Sequence, residues 1–170
     1  MALSNSKITA SVTVNAKSTP DLGTSSATRA LSAALTLAAG TGAGQADIAF
    51  TDTRTLAASA TEDLDLAGAL VGVEGAAVVF ARIKAIVITA AAGNTNNVVV
   101  SRPASNGLVL FSAASDAIPI RPGGFLAVGT GAADATGIVV TAGTGDLLTI
   151  TNSSSGTGVD YSIAVVGCSA

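Results

Sequence analysis

The chain has no histidine and no tryptophan, a single cysteine and a single tyrosine, and aromatic residues make up only 3% of its 170 positions. Without histidine it lacks the side chain that ordinarily titrates near neutral pH. Imidazole acid/base catalysis is therefore excluded, and the usual zinc sites lose their commonest ligand. Cys168 has no partner for an internal disulfide, so a framework of stapled loops is excluded. Charge is scarce as well. Eight basic against eleven acidic residues leave a formal charge of −3 and a pI near 4.6. Such a chain has no positive field to hold a polyanion, and its only close basic pair, Arg82 and Lys84, is too small for a nucleic-acid footprint. Long apolar runs are missing too. Lys7 interrupts the first 16 residues, and Arg82, Lys84 and Thr89 break the stretch 76–92 before it reaches a membrane span. The expectation is a soluble chain with no export signal, no membrane contact and no direct contact with nucleic acid.

What the sequence has in quantity is small and aliphatic: 49% hydrophobic residues, mostly Ala, Val, Leu and Ile, and 19 glycines. The core should be thin and free of stacked rings, in one domain of ordinary length. Period-two alternation recurs throughout. Ile8, Ala10, Val12 and Val14 alternate with Thr9, Ser11 and Thr13, which predicts a half-buried strand. Pro20, Asp21 and Gly23 mark a turn or connector. Residues 29–37, RALSAALTL, suit either a second strand or a short Ala-rich helix. Ile48, Phe50, Leu56 and Ala58 fit one buried side of the next stretch. The strongest signal is 78–89, VVFARIKAIVIT, read as one deeply packed strand in which Phe80, Arg82, Lys84, Ile86 and Ile88 share a parity. Further strands are expected at 98–100, 108–111, 116–121, 125–128, 136–141, 146–151 and 159–166. Pro119 confines the 116–121 strand to a sheet edge. Eight to ten strands separated by small-residue turns, with no amphipathic helix long enough to cover a parallel sheet, predict an all-β fold: an antiparallel β-sandwich, jelly-roll-like. The domain organisation expected is an N-terminal extended arm or first strand over residues 1–26, followed by a single sandwich domain over 27–170.

Candidate chemical sites are few. Gly40, Gly42 and Gly44 in GTGAG lack the Lys-Ser/Thr ending of a phosphate loop and read as a turn. Asp63 and Asp65 fall on one side of the acidic segment 61–66, but a third cation ligand is missing locally, so a solvated face or a subunit contact is the better reading. Lys17 and Lys84 stand outside any Ser-x-x-Lys relation, and Cys168 reads as an incidental apolar residue. Phe50, Phe80, Phe111, Phe125 and Tyr161 lie in strand-like contexts and suit the core better than a sugar-stacking platform. No catalytic residue, metal site or cofactor is expected. Contacts are assigned instead to Ile8, Val12 and Val14 on the arm, and to Arg29, Arg54, Asp63, Asp65, Arg82 and Lys84 as complementary polar groups.

Three blocks carry a resemblance: GTGAGQAD with RTLAASATEDLDLAG; FARIKAIVITAAAGNTNN; and PIRPGG with VTAGTGDLLTITNSSSGTGVDYSIAVVG. Together, over residues 40–167, they resemble a widely distributed group of tailed-bacteriophage virion structural proteins. The resemblance brings no catalytic residues. It implies a capsid decoration or cement protein, made in the host cytoplasm and seated on the outer surface of the virion. There it would bridge capsomers of the major capsid protein as a homotrimer. A tail or baseplate component, or a glycan- or receptor-binding β-domain, is the alternative.

Overall fold

Alternating β-branched and small residues commit the chain to extended structure. In the computed structural model, which describes residues 3–68, 70–72 and 75–170, there are fourteen strands and no helix among the described residues. In chain order they are β1 (Asn5–Ser18), β2 (Ser25–Ala39), β3 (Gln45–Ala46), β4 (Ile48–Leu56), β5 (Thr61–Asp65), β6 (Leu70–Val71) and β7 (Ala77–Val78). There follow β8 (Arg82–Ala90), β9 (Val98–Ser101), β10 (Ala117–Ile120), β11 (Phe125–Gly129), β12 (Ile138–Val139), β13 (Leu147–Asn152) and β14 (Val159–Cys168). The fold is all-β and its main sheets are antiparallel.

Two sheets form the body. One has the order β11-β8-β14-β4, with β12 also paired to β8; the other has the order β10-β9-β13-β5. Both bury their inner sides in a single apolar cluster. Phe50, Ile86, Ile88, Ile163 and Val165 enter it from the first sheet, and Leu64, Val98, Val100, Leu148 and Ile150 from the second. Each large aliphatic side chain so buried contributes about 1.5–3 kcal/mol, which is how a core with few rings holds together. Pro119 lies on β10, an edge strand, where its missing N–H costs no ladder bond.

The second strand of the sequence, 29–37, is extended rather than helical. Residues 25–38 pair along β1, and this partner overrides the helical preference of the alanines. The stretch 78–89 is not one strand. Between β7 and β8 the chain turns Phe80 into the core, while the Phe80 and Ala81 N–H groups bond the carbonyls of Leu66 and Cys168. Its expected parity also fails. β14 pairs Val166 with Ala85 and then Gly167 with Ile83, so Lys84 is skipped at a bulge. Ile83, Ile86 and Ile88 consequently all reach the core, and Ala85 faces the other way. Residues 108–111, expected as a strand, form a turn in which Leu110 N–H bonds the Leu108 carbonyl. Leu108 is buried, and Leu110 and Phe111 lie against the core, so the segment plugs the body instead of extending a sheet. Ala58, grouped with the buried side of β4, lies exposed in the turn that follows it.

Gly167 is required at the bulge, because a Cβ there would collide with the Arg82 carbonyl and crowd the Phe80 ring. Gly167→Ala is expected to destabilise the protein by about 2 kcal/mol, as overpacking of a tight site does. Gly93→Ala, in open space, is expected to stay within about 0.5 kcal/mol. Urea midpoints of the two variants check this.

Candidate interaction surface

β1 and β2 make a hairpin whose register pairs Ile8 with Leu35, Ala10 with Ala33, Val12 with Leu31 and Val14 with Arg29. Side chains directly opposite in an antiparallel pair share a face. One face of the ribbon is therefore an apolar stripe ending at Arg29. The other carries Lys7, Thr9, Ser11, Thr13, Asn15 and their polar or alanine partners, with Thr28 donating to Asn15 at 2.8 Å. The two strands span fourteen unbroken pairs, roughly 45 Å at about 3.3 Å per residue. Gly23, at φ 135°, closes the tip by bonding the Pro20 carbonyl, a turn that needs glycine's tolerance of positive φ.

Only the root of this ribbon is anchored. Leu35 and Leu37 are buried with Ala46 and Ala85, flanked by Leu3, Ile8 and Val166, so the root sits on the outer side of the β8–β14 sheet. β3 pairs in parallel with the end of β2, and the glycine turn between them is closed by the Gln45 side chain, which accepts from Gly42 N–H at 2.9 Å. The GTGAG segment is thus a turn with its own side-chain clasp. Beyond the root the stripe is bare, with Val12 60%, Val14 56% and Leu31 74% exposed. The division expected at residue 26 falls inside β2, so the physical arm takes in both strands of the hairpin.

Ile8, Val12, Val14 and Arg29 are brought together on this one face. The other expected contact residues lie on the body, and most are engaged by their own chain. Arg54 donates to Glu62 through Nε at 2.8 Å and to Asp52 through NH1 at 2.8 Å, while the buried Tyr161 hydroxyl donates to the other Glu62 oxygen at 2.7 Å. β4 and β5 are the edge strands on one side of the two sheets, so this network ties those edges together. Asp63 accepts from Thr149 at 2.5 Å, and Asp65 accepts from Ala67 N–H at 2.9 Å. Arg82 donates to the carbonyls of Ala135 and Ala170. Lys84 does not reach water. The bulge sends its stem beneath the loop after β11, where Nζ donates to the Asp134 carbonyl at 2.6 Å. Gly137 and Thr136 N–H groups hold the Asp134 carboxyl below its ordinary range. Cys168 is buried, and desolvation pushes its thiol up, away from reactive thiolate character. Among the described residues no three His, Cys, Asp or Glu side chains gather where a metal could sit.

Sequence reasoning missed the β2 half of the stripe, Leu31, Ala33, Leu35 and Leu37. Their period of two was visible but was masked by a composition that also suits a helix. It also missed Glu62 and Tyr161 as partners, since 99 residues separate them and nothing local joins them. Of the aromatics, Phe50, Phe80 and Tyr161 are buried, whereas Phe125 stands out from edge strand β11.

No family model, curated protein or solved structure matches the chain.

Two predictions follow from the anchoring of the arm and from the edge network. Leu37→Ala should release the root: amides of β1 and β2 lose hydrogen-exchange protection, and the root contact weakens by about 2 kcal/mol, while body strands β8 and β14 keep theirs. Burial, and next the bond to Glu62, raise the Tyr161 pKa above the ordinary phenol, which is about 10. The folded state therefore keeps a proton that the unfolded chain sheds. Its contribution is full below the unfolded phenol's pKa and is lost as pH rises through the folded value. Since Tyr161 is the sole tyrosine, phenolate absorbance should appear only together with alkaline unfolding. In Tyr161→Phe, stability should fall less steeply above about pH 10.

Proposed function

We propose that the chain is a non-enzymatic structural protein of a tailed-phage virion, acting as a head decoration or cement subunit that bridges capsomers from outside. The observation that carries this reading is the arm: a long, one-sided apolar ribbon anchored at its root, with its distal half bare. Such an element supplies attachment, not chemistry. The rest of the molecule agrees, for titratable side chains such as Glu62, Lys84 and Tyr161 are occupied in structural bonds.

The body supports the reading through its connectivity, which we take to be that of a jelly-roll sandwich. β4 pairs with β14 and β5 with β13; β8 pairs with β11 and β9 with β10. These are two long double-stranded ribbons, each bent so that one half lies in either sheet. β8 then pairs with β14 and β9 with β13, which rolls one ribbon against the other. Eight strands in two four-stranded layers linked in this way make the double Greek key found in capsid and lectin domains. Folds host many functions, so the strand order supports an assembly role only alongside the arm and the sequence resemblance to virion proteins.

The mechanism is mechanical. Contacts that bind the assembled shell and not its separated parts stabilise it by mass action, and many copies acting together multiply a modest affinity. A trimeric cement bridging major capsid protein subunits fits this scheme. A tail or baseplate position would use the same arm at far lower copy number. A glycan-binding role has one exposed ring, Phe125, and a sugar platform needs more.

Shells made without the protein are expected to assemble and to lose resistance to heat, and labelled protein should decorate symmetric external sites in hundreds of copies. If removal spares heads and stops tail completion, the tail reading replaces this one. Absence of the protein from purified particles would end both.

A further inference from the structure

We propose that the distal half of the β1–β2 arm docks on the outer face of the β8–β14–β4 sheet of a second copy of this chain. Three observations converge on that occupant. The first is the need for cover. Val12, Val14 and Leu31, with Ala10 and Ala33 between them and the root, form a continuous apolar face open to water. A two-stranded ribbon exposed on both sides is at best marginally stable. It cannot fold back to cover itself, because its fourteen pairs run without a break.

The second is a surface that continues the arm's own seat. The root occupies the Ala85 and Val166 end of the outer sheet face. Past it, the same face runs on as a shallow trough lined by Val87, Ala164, Ser162, Thr51 and Thr53, and Val87 and Ala164 belong to the root's border and to the trough alike. Short side chains at these positions let a flat ribbon approach closely. A second copy's distal stripe laid here would extend a contact that each chain already makes with its own root.

The third is charge. Residues 1–39 hold three basic side chains, Lys7, Lys17 and Arg29, and one acidic, Asp21, a formal +2. The rest of the chain holds five basic and ten acidic residues, a formal −5. Arg29 stands on the apolar face of the arm beside Val14. Asp160 lies two residues from Ser162 on the same side of β14, opposite Thr55. Arm and body are therefore opposite in sign and attract in trans. Each chain gives one arm and accepts one, a head-to-tail contact that closes into a ring when the rotation permits. The contact would hold whether or not the ring belongs to a virion.

Sedimentation velocity on the full chain tests it, with circular dichroism and thermal unfolding to verify that each variant is folded. The wild type should associate at tens of micromolar and dissociate as salt rises and screens the arm from the body. Val12→Asp with Leu31→Asp spoils the arm, and Ser162→Arg spoils the trough. Each should weaken association by about tenfold or more, the loss of a contact worth about 1.4 kcal/mol. The arm-spoiled chain still has a sound trough, and the trough-spoiled chain a sound arm, so a mixture of the two should form a dimer and stop there. A monomeric wild type, an oligomer indifferent to these substitutions, or a mixture that stays monomeric would overturn the proposal. A monomer that nevertheless decorates particles would leave the virion reading standing; an arm-linked oligomer absent from particles would do the reverse.

Discussion

The arm is governed by one constraint: directly opposed side chains in an antiparallel pair lie on the same side. Once Ile8 faces Leu35, every second pair in either direction is assigned to the same face, and the next pair to the other. A slip of one residue in either strand would set Thr and Ser against Leu and leave no apolar side at all. With the observed register the ribbon has a face that must be covered and a face that need not be. Leu35, Leu37 and Ile8 satisfy the first requirement only at the root. The unanchored remainder defines what the molecule offers to its surroundings.

The body obeys the same alternation but solves a different problem. Two sheets rich in Val, Ile and Ala bury little area per residue, so their open sides must be closed. At one edge the closure is polar. Tyr161 rises out of the core to meet Glu62, and Arg54 of β4 binds Glu62 of β5, so the one buried hydroxyl among the rings is satisfied and the two edge strands are linked. Elsewhere the closure is apolar, with Leu108 and Phe111 pressed against the core by a turn. The bulge at Lys84 adds a third device. It turns Ala85 outward, small enough for the arm to sit on, and directs the lysine stem under the loop that holds Asp134. The arm's seat and the body's integrity are thus set by the same irregularity in β8.

Much of this was legible in the sequence where a segment speaks for itself. Period-two alternation gave β1, β4, β13 and β14, and turn chemistry gave the breaks at Pro20, Gly40 and Pro122. Pro119 placed β10 at an edge. What could not be read locally was pairing. RALSAALTL is extended because β1 lies beside it, and its alanines leave its period of two unable to decide between strand and helix. VVFARIKAIVIT looked like a single strand because the bulge that splits its parity depends on Gly167, far along the chain. LVLF carries strand-like residues but has no strand to pair with at that point, so it folds into a plug. Lys84 looked like part of a contact surface for the same reason: parity counted along one strand cannot register an irregularity imposed by its neighbour. The arm residues Ile8, Val12 and Val14 were recoverable because a strand's face is decided by simple alternation, whereas Arg29 joins them only through its pairing with Val14.

Charge placement is the last link between sequence and assembly. A chain with so few charged residues gains little from any one ion pair, since exposed pairs contribute about 0–1 kcal/mol. Their distribution still matters. Placing Lys7, Lys17 and Arg29 on the arm and leaving the body acidic makes every copy complementary to every other at long range, which speeds encounter without fixing geometry. Geometry is then left to the apolar stripe, whose small and branched side chains fit a flat sheet face through many weak contacts. An element of that kind is feeble in a single encounter and effective when symmetry repeats it. That is the balance required of a subunit whose role, on the proposed reading, is to hold a lattice together and not to transform a substrate.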